Sequence, residues 1–333
     1  MSAPAVQPIP KVNRPSLSGH LAIARMDHWV KNVFVLPGIL IPFVVDPGHW
    51  PPHLALRIIL GLASVCLITS SNYVINEVLD APSDRFHPLK SSRPVPSGKV
   101  SIPLAYVQWV ALMAVGLGLA ATISVPFLLT MLTLWAMGCA YNISPVRTKD
   151  VPYLDVLSES VNNPLRMLAG WFITGTLLIP PASLLFSYWM IGCYFMALKR
   201  YAEYRDLDNV KVAALYRKSF AFYTEERLLA SVLFYSSAAM LFFGAFIMRY
   251  RLELLLAIPL IALVMAFYLD LSFKPNSAVQ RPEGLYRERG LVASVVACAV
   301  LILILFVVDI PWVRSIFAPT IPTETVVSTL PSR

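Results

Sequence analysis

The chain has 333 residues, 57% hydrophobic and only 14% charged, with a mean hydropathy of +0.66. A soluble domain is closer to a quarter charged, so this composition excludes an ordinary soluble globular protein and points to a polytopic membrane protein. The net charge of +8 then reads as Lys- and Arg-rich loops on one side of a bilayer, with no call for nucleic acid as a partner.

The N-terminal stretch "MSAPAVQPIPKVNRPSLSG" is Pro-rich and polar, without the apolar core or small-residue cleavage site of a signal peptide. Residues 1–19 are expected to form a flexible tail, 20–315 a single transmembrane domain, and 316–333 a second tail. Nine apolar segments approach the ~20 residues that cross a hydrocarbon core. They lie near 28–46, 54–77, 103–122, 125–143, 154–179, 183–200, 227–248, 253–272 and 290–311. The first is entered through "MDHWVKNVFVLPG", which contains Lys31 and Asn32. The second runs into "NEVLDAPSDRFHPLKSSRP", where acids come first and bases follow. Asn76 and Asp80 are four apart and share a helix side. Pro82 is expected to stop that helix and leave Asp84 on the turn beyond it. Lys90, Arg93 and Lys99 come next. The third and fourth segments are joined by a tight turn around "SVPF".

A loop containing Tyr141, Arg147, Lys149 and Asp150 leads to the fifth segment. There Asp155, Glu159, Asn162, Asn163 and Arg166 follow at steps of three and four, a polar stripe in an apolar span. Ionisable residues inside a span are costly and usually line a cavity or pathway, whereas an interhelical hydrogen-bond seam accounts for one or two such residues but poorly for five. The sixth segment ends in "KRYAEYRD", which begins with Lys199, Arg200 and Tyr201. The cysteines, Cys66, Cys139, Cys193 and Cys298, stand singly in apolar runs and read as buried small hydrophobes, with neither disulfide nor zinc site.

With the N-terminus cytoplasmic, 21 of the 27 Lys and Arg residues fall in inner segments, five fall outside, and Arg166 lies within a span. Such asymmetry is hard to obtain with a wrong span count, since an error would alternate the loops incorrectly. The expected fold is therefore all-α, with nine transmembrane helices. The charged face is cytoplasmic, on an inner membrane.

Carboxylates at a helix C-terminus oppose the helix dipole unless a cation compensates. Two arrangements answer that need. The loop's own bases can pair with the acids, or oxygen ligands from Asn76, Asp80 and Asp84 can hold magnesium, whose shell is commonly completed by water and substrate phosphates. In the second case Lys90 and Arg93 would receive the remaining phosphate charge.

"NEVLDAPSD" followed by "DRFHPLKSSRPVPSG" resembles the first aspartate-rich motif of the UbiA superfamily of intramembrane prenyltransferases. Glu77 stands where that motif usually has Asp. "YNISPVRTKDVPYLD" is similar to the second-motif region of the same superfamily. "MDHWVKNVFVLPG", "KRYAEYRD" and "YRKSFAFYTEERL" resemble one branch, the decaprenyl-phosphate phosphoribosyltransferases. The resemblance implies a magnesium-dependent transfer of 5-phosphoribose from phosphoribosyl diphosphate to a polyprenyl phosphate, with release of diphosphate. It further implies catalytic or metal-binding roles for Asp80 and Asp84, with Asn76 as a further metal ligand, and a carboxylate beside the ribose, for which Asp155 is the candidate. Substrate-binding roles are expected for Lys31, Asn32, Lys90, Arg93, Tyr141, Arg147, Lys149, Glu159, Arg166, Lys199, Arg200 and Tyr201. The alternatives are an aromatic or quinone prenyltransferase using a polyprenyl diphosphate, and a transporter with an intramembrane polar path.

Overall fold

The computed structural model describes residues 14–45, 51–85, 90–176, 178–206, 218–280 and 282–318. Among them every regular element is helical. In chain order these are α1 (Leu17–Ile23), a 3-10 stretch Met26–Val35 leading into α2 (Leu36–Val45), α3 (Leu54–Asp84), α4 (Ile102–Ala121) and α5 (Val125–Asn142). Then follow α6 (Leu154–Ser160), α7 (Asn162–Ile173), α8 (Ala182–Arg205), α9 (Glu225–Tyr250), α10 (Ile258–Ser272), α11 (Arg289–Val307) and α12 (Pro311–Ile316). Seven helical segments of the described residues are long and apolar enough to cross a membrane: α3, α4, α5, α8, α9, Leu252–Ser272 and α11.

The two other predicted spans, 28–46 and 154–179, are each divided into shorter pieces. Proline explains both divisions. Pro37 has no N–H to continue the preceding turn, but it is well suited to the first turn of α2. Pro164 would clash with the Ser160 carbonyl in a continuous helix, so α6 ends at Ser160 and α7 starts at Asn162. At Pro82 the outcome differs from expectation: α3 continues to Asp84. A proline this close to a helix end forfeits little of the ladder, and the Arg85 amide still donates to Ala81 at 3.2 Å. The expected N-terminal tail is also shorter at its inner end. Ser16 caps α1 by accepting from the Gly19 amide at 3.2 Å, while the Ser16 amide donates to the Lys99 carbonyl at 3.0 Å.

Two apolar cores join the bundle. One brings Val65 and Ile68 of α3 together with Phe127, Met131 and Leu134 of α5 and with Ala169 and Ile173 of α7. The other joins Cys193, Tyr194 and Leu198 of α8 to Val232, Tyr235 and Ala239 of α9 and to Tyr268 and Leu271 of α10. Many large apolar side chains, among them Leu233, Phe234, Leu241 and Val296, point outward, as they do where lipid is the solvent. The closest backbone approach is between α2 and α7. A Cβ on Gly38 would lie 1.9 Å from the Met167 carbonyl oxygen, and one on Gly170 would lie 2.1 Å from that of Val35. Only glycine permits this contact, which sets the 3-10 stretch before α2 against α7.

Opposite ends of the bundle differ in chemistry. At one end Arg57 caps two chain turns, donating to the Ile173 and Ile123 carbonyls at 3.1 Å each. The C-terminus of α3, the α5–α6 loop and the C-terminus of α8 gather the acids and bases at the other.

Candidate active site

Asn76 and Asp80 occupy successive turns of α3, as the four-residue spacing requires. The Asn76 amide donates to Asp80 Oδ2 at 3.3 Å and to Asn142 Oδ1, at the end of α5, at 2.5 Å. Asp80 Oδ1 accepts from Lys149 Nζ at 2.5 Å and from Arg147 Nη2 at 3.1 Å. Lys149 is only 5% exposed, donates also to Asn142 Oδ1 at 2.9 Å, and stands 5.9 Å over the Tyr141 ring. Arg147 is fixed on three sides, since it also donates to the Asn142 carbonyl at 3.0 Å and to Asp150 at 3.1 Å. Its φ of +26° turns the chain into the short helical turn Thr148–Asp150. Asp84, a turn further along α3, accepts from Arg93 Nη1 at 2.7 Å. The chain's own cations thus compensate the carboxylates at this helix end.

Glu77 does not join them. It points about 100° away from Asn76 around α3, is buried, and accepts the Val95 amide at 3.1 Å. Val95 packs with Val74, Val78 and Ala81 of α3. This latch holds the loop that brings Arg93 to Asp84, a function that the extra methylene of Glu suits and that charge spacing alone does not reveal.

Asp155 lies in the adjoining part of the network with 0% exposure. Arg200 Nε donates to its Oδ2 at 3.2 Å, Ser219 donates to the same oxygen at 3.2 Å, and Tyr223 donates to Oδ1 at 2.6 Å. Arg200 also donates to Glu203 at 2.9 Å and, over 3.4 Å, to the Tyr141 hydroxyl. Tyr141 therefore links the Asp155 group to the Asp80 group. Burial pushes the Tyr223 phenol up, and the adjacent Asp155 charge and hydrogen bond push it further. It stays a donor throughout the physiological range. Ser219 and Tyr223 escaped the sequence reading because they pair with Asp155 across more than sixty residues.

The expected polar stripe is not one surface, because the break at Val161 turns its two halves differently. Asp155 faces α8, Arg166 faces the 3-10 stretch before α2, and Glu159 is half-buried. Arg166 Nε donates to Asn32 Oδ1 at 3.0 Å, and Asn32 donates to Cys66 Sγ at 3.2 Å. Lys31, Lys90 and Lys199 are half-buried. Tyr201 is buried. It is about 100° from Arg200 around α8, and it packs with Phe220, Tyr223 and Leu228 and edge-on to Phe273 at 5.6 Å. A groove of about 350 Å³ runs outside this network, lined by Tyr153, Leu157, Arg227, Ala230, Ser231, Phe234 and Tyr235.

The donor set at Asn76, Asp80 and Asp84 is all oxygen. No cluster of three or more His, Cys, Asp or Glu side chains that could cage a metal occurs among the described residues. A magnesium ion that takes one or two carboxylates and fills its shell from a diphosphate fits this set; a closed protein cage does not.

Seven helices long and apolar enough to cross a membrane, with a carboxylate- and cation-rich centre at one end, define a polytopic membrane protein with a polar site at its helix ends. Residues 34–286 match the UbiA prenyltransferase family, and the chain belongs to it. A decaprenyl-phosphate phosphoribosyltransferase from Corynebacterium glutamicum is 30% identical over 214 residues, 62% of this chain and 60% of that one. A digeranylgeranylglyceryl phosphate synthase from Saccharolobus solfataricus is 30% identical over 127 residues, 38% of this chain and 42% of that one. The chain thus spans less than two thirds of the length of either relative. A UbiA homolog from Archaeoglobus fulgidus, solved with GPP and Mg2+, has a TM-score of 0.62 at 24% identity over 84% of this chain and 99% of its own. That likeness is one of fold.

Proposed function

We propose that this membrane transferase moves 5-phosphoribose from phosphoribosyl diphosphate to a polyprenyl phosphate. One observation carries the reading. Two of the three stretches resembling the phosphoribosyltransferase branch converge on one carboxylate: Arg200 from "KRYAEYRD" and Ser219 and Tyr223 from "YRKSFAFYTEERL" all donate to Asp155. The relative bearing that activity in its name also matches more of the chain than the relative named as a glyceryl phosphate synthase.

In the reaction the ribose C1–O bond to diphosphate breaks, the diphosphate leaves with the electron pair, and an anionic oxygen of the lipid phosphate forms the new bond to C1. No proton has to be removed from such an acceptor, so positioning matters more than general-base catalysis. Asn76, Asp80 and Asp84 would hold magnesium, which neutralises charge on the diphosphate. Lys149, Arg147 and Arg93 are already fixed beside those carboxylates and supply further positive charge to the leaving group. Asp155, shielded by its own donors, acts by fixing Arg200 rather than by touching the ribose. The apolar groove between α6 and α9 lies beside this group and suits an isoprenoid tail.

The test is incubation of purified protein with labelled phosphoribosyl diphosphate, magnesium and a series of isoprenyl phosphates, followed by extraction of the lipid. Label in the lipid fraction is expected. Its absence, with transfer instead from a prenyl diphosphate to an aromatic acceptor, would overturn the reading in favour of the aromatic prenyltransferase.

A further inference from the structure

His20 of α1 lies outside the carboxylate centre and has no part in the chemistry above, yet it is only 8% exposed. Two neighbours fix its protonation. The Ser101 amide donates to Nε2 at 3.2 Å, so that nitrogen carries no proton. Nδ1 carries it instead and donates to Gln108 Oε1 at 3.1 Å, while Gln108 Nε2 donates to the His20 carbonyl at 2.9 Å. One tautomer of the neutral imidazole is thereby selected.

A second proton has no place here. On Nε2 it would face the Ser101 N–H, donor against donor. Ser101 also heads α4 without a side-chain cap, so an imidazolium would stand at the positive end of that helix dipole. Among the described residues no carboxylate pairs with His20 to offset either effect. The elements around it bring Arg14 before α1 and Lys99 in the loop, both exposed, and the half-exposed Tyr106 of α4. Glu77 of α3 is turned to the Val95 amide, and Arg25 beyond α1 is engaged with Asp27.

What this clasp holds matters to the site. α1 lies on the loop between α3 and α4, where the Ser16 amide donates to the Lys99 carbonyl at 3.0 Å. Gly19 approaches the same carbonyl so closely that a Cβ would meet its oxygen at 2.2 Å. Ile23, fully buried, packs with Val95 and Val100 of the loop and with Val74 of α3. The loop itself is one compact turn, its Ser97 and Lys99 amides donating to the Arg93 and Pro94 carbonyls at 3.0 and 2.9 Å. That turn carries the guanidinium that donates to Asp84.

We propose that His20 is a proton-sensitive clasp: protonation releases α1 from the α3–α4 loop and loosens Arg93 in the site. Histidine is the side chain whose charge changes between pH 5 and 8, so mild acid is the signal. The clasp rests on the reading above only for the role of Arg93 toward diphosphate, which either class of donor contains.

The experiment places nitroxide labels at Ser18→Cys and Thr122→Cys in the full chain, with Cys66 and Cys139 replaced by Ser. The length of α4 sets the labels on the order of 30 Å apart. One narrow distance is expected at pH 7.5, with a second, broad population by pH 5.5. His20→Gln should stay narrow at both values, and His20→Lys should be broad at both. A merely structural His20 would give two like variants and no acid response. Magnesium diphosphate is then titrated against the wild type and His20→Gln, a comparison that cancels the protonation of diphosphate itself. Relative wild-type affinity is expected to fall at least fivefold between pH 7.5 and 5.5. A distance that ignores pH in the wild type overturns the proposal whatever the variants do, and so does acid opening with constant relative affinity. Arg93→Gln that binds magnesium diphosphate as tightly as wild type at pH 7.5 sinks the reading of Arg93 in the site, while acid opening still supports the clasp.

Discussion

Asp155 divides its partners between two oxygens, Tyr223 on one and Arg200 with Ser219 on the other. Removing one member of a buried pair leaves an uncompensated charge, so Asp155→Asn is expected to destabilise the protein by roughly 3 kcal/mol, less than a full loss because Glu203 remains on Arg200. If Asp155 works by fixing Arg200, Asp155→Asn combined with Arg200→Gln loses no more activity than the worse single variant; additive losses in kcat/KM would show independent roles. Tyr223 makes a pH prediction of definite sign. Its phenol is held protonated by burial and by Asp155, so the stability it contributes is complete below the ordinary tyrosine pKa of about 10 and fades as pH rises beyond that. Wild type should exceed Tyr223→Phe by about 1.5–3 kcal/mol at neutral pH, with the gap narrowing above pH ~10 in denaturant titrations. Much of this centre was legible in the sequence, because Asn76, Asp80, Arg147, Lys149, Asp155 and Arg200 are charged or polar groups out of place beside apolar runs. Asn142 and Ser219 were not legible, since a neutral polar residue at a helix end or in a loop looks ordinary until its distant partner is known.

Elements were read correctly wherever apolar length alone decides, as in α4 and α5 with the turn between them. They were misread where one proline outweighs hydropathy. Pro164 divides the fifth span, and the signal was present in "VNNPLR", but a window average of apolarity is blind to it. The division has a consequence for the site. It lets α7 turn Arg166 toward Asn32 while α6 turns Asp155 toward Arg200, so one stripe serves two places. The glycine contact between α2 and α7 fixes the first of these. In Gly170→Ala the new Cβ would meet the Val35 carbonyl at 2.1 Å, and backbone cannot yield as a side chain end would. The expected cost is about 1–3 kcal/mol in stability. Thermal unfolding of Gly170→Ala checks this, and a melting temperature equal to that of wild type would show that α2 and α7 separate at no cost.

At the scale of the whole molecule the charge distribution sets orientation. Lys149, Arg147, Arg93 and Arg200 share one end with the carboxylates, and Arg57 at the other end is consumed by the Ile123 and Ile173 carbonyls. Loops rich in Lys and Arg stay on the cytoplasmic side, so the carboxylate-bearing end is expected to face the cytoplasm. Helix count was hard to read from the sequence, because a divided span contributes the same loop alternation as a continuous one. Two exposed positions separate the sides. Lys99 lies on the loop before α4, and Thr122 lies on the turn after it. Lys99→Cys and Thr122→Cys, each in a chain whose Cys66 and Cys139 are replaced by Ser, can be probed with a membrane-impermeant maleimide in sealed vesicles of known orientation. In inside-out vesicles the Lys99→Cys thiol should label at once, and the Thr122→Cys thiol only after the bilayer is permeabilised. Right-side-out vesicles should reverse the order. Labelling of both positions from one side would break the crossing of α4, and the inverted pattern would place the carboxylate centre outside, away from its donor, and so remove the proposed reaction along with the topology.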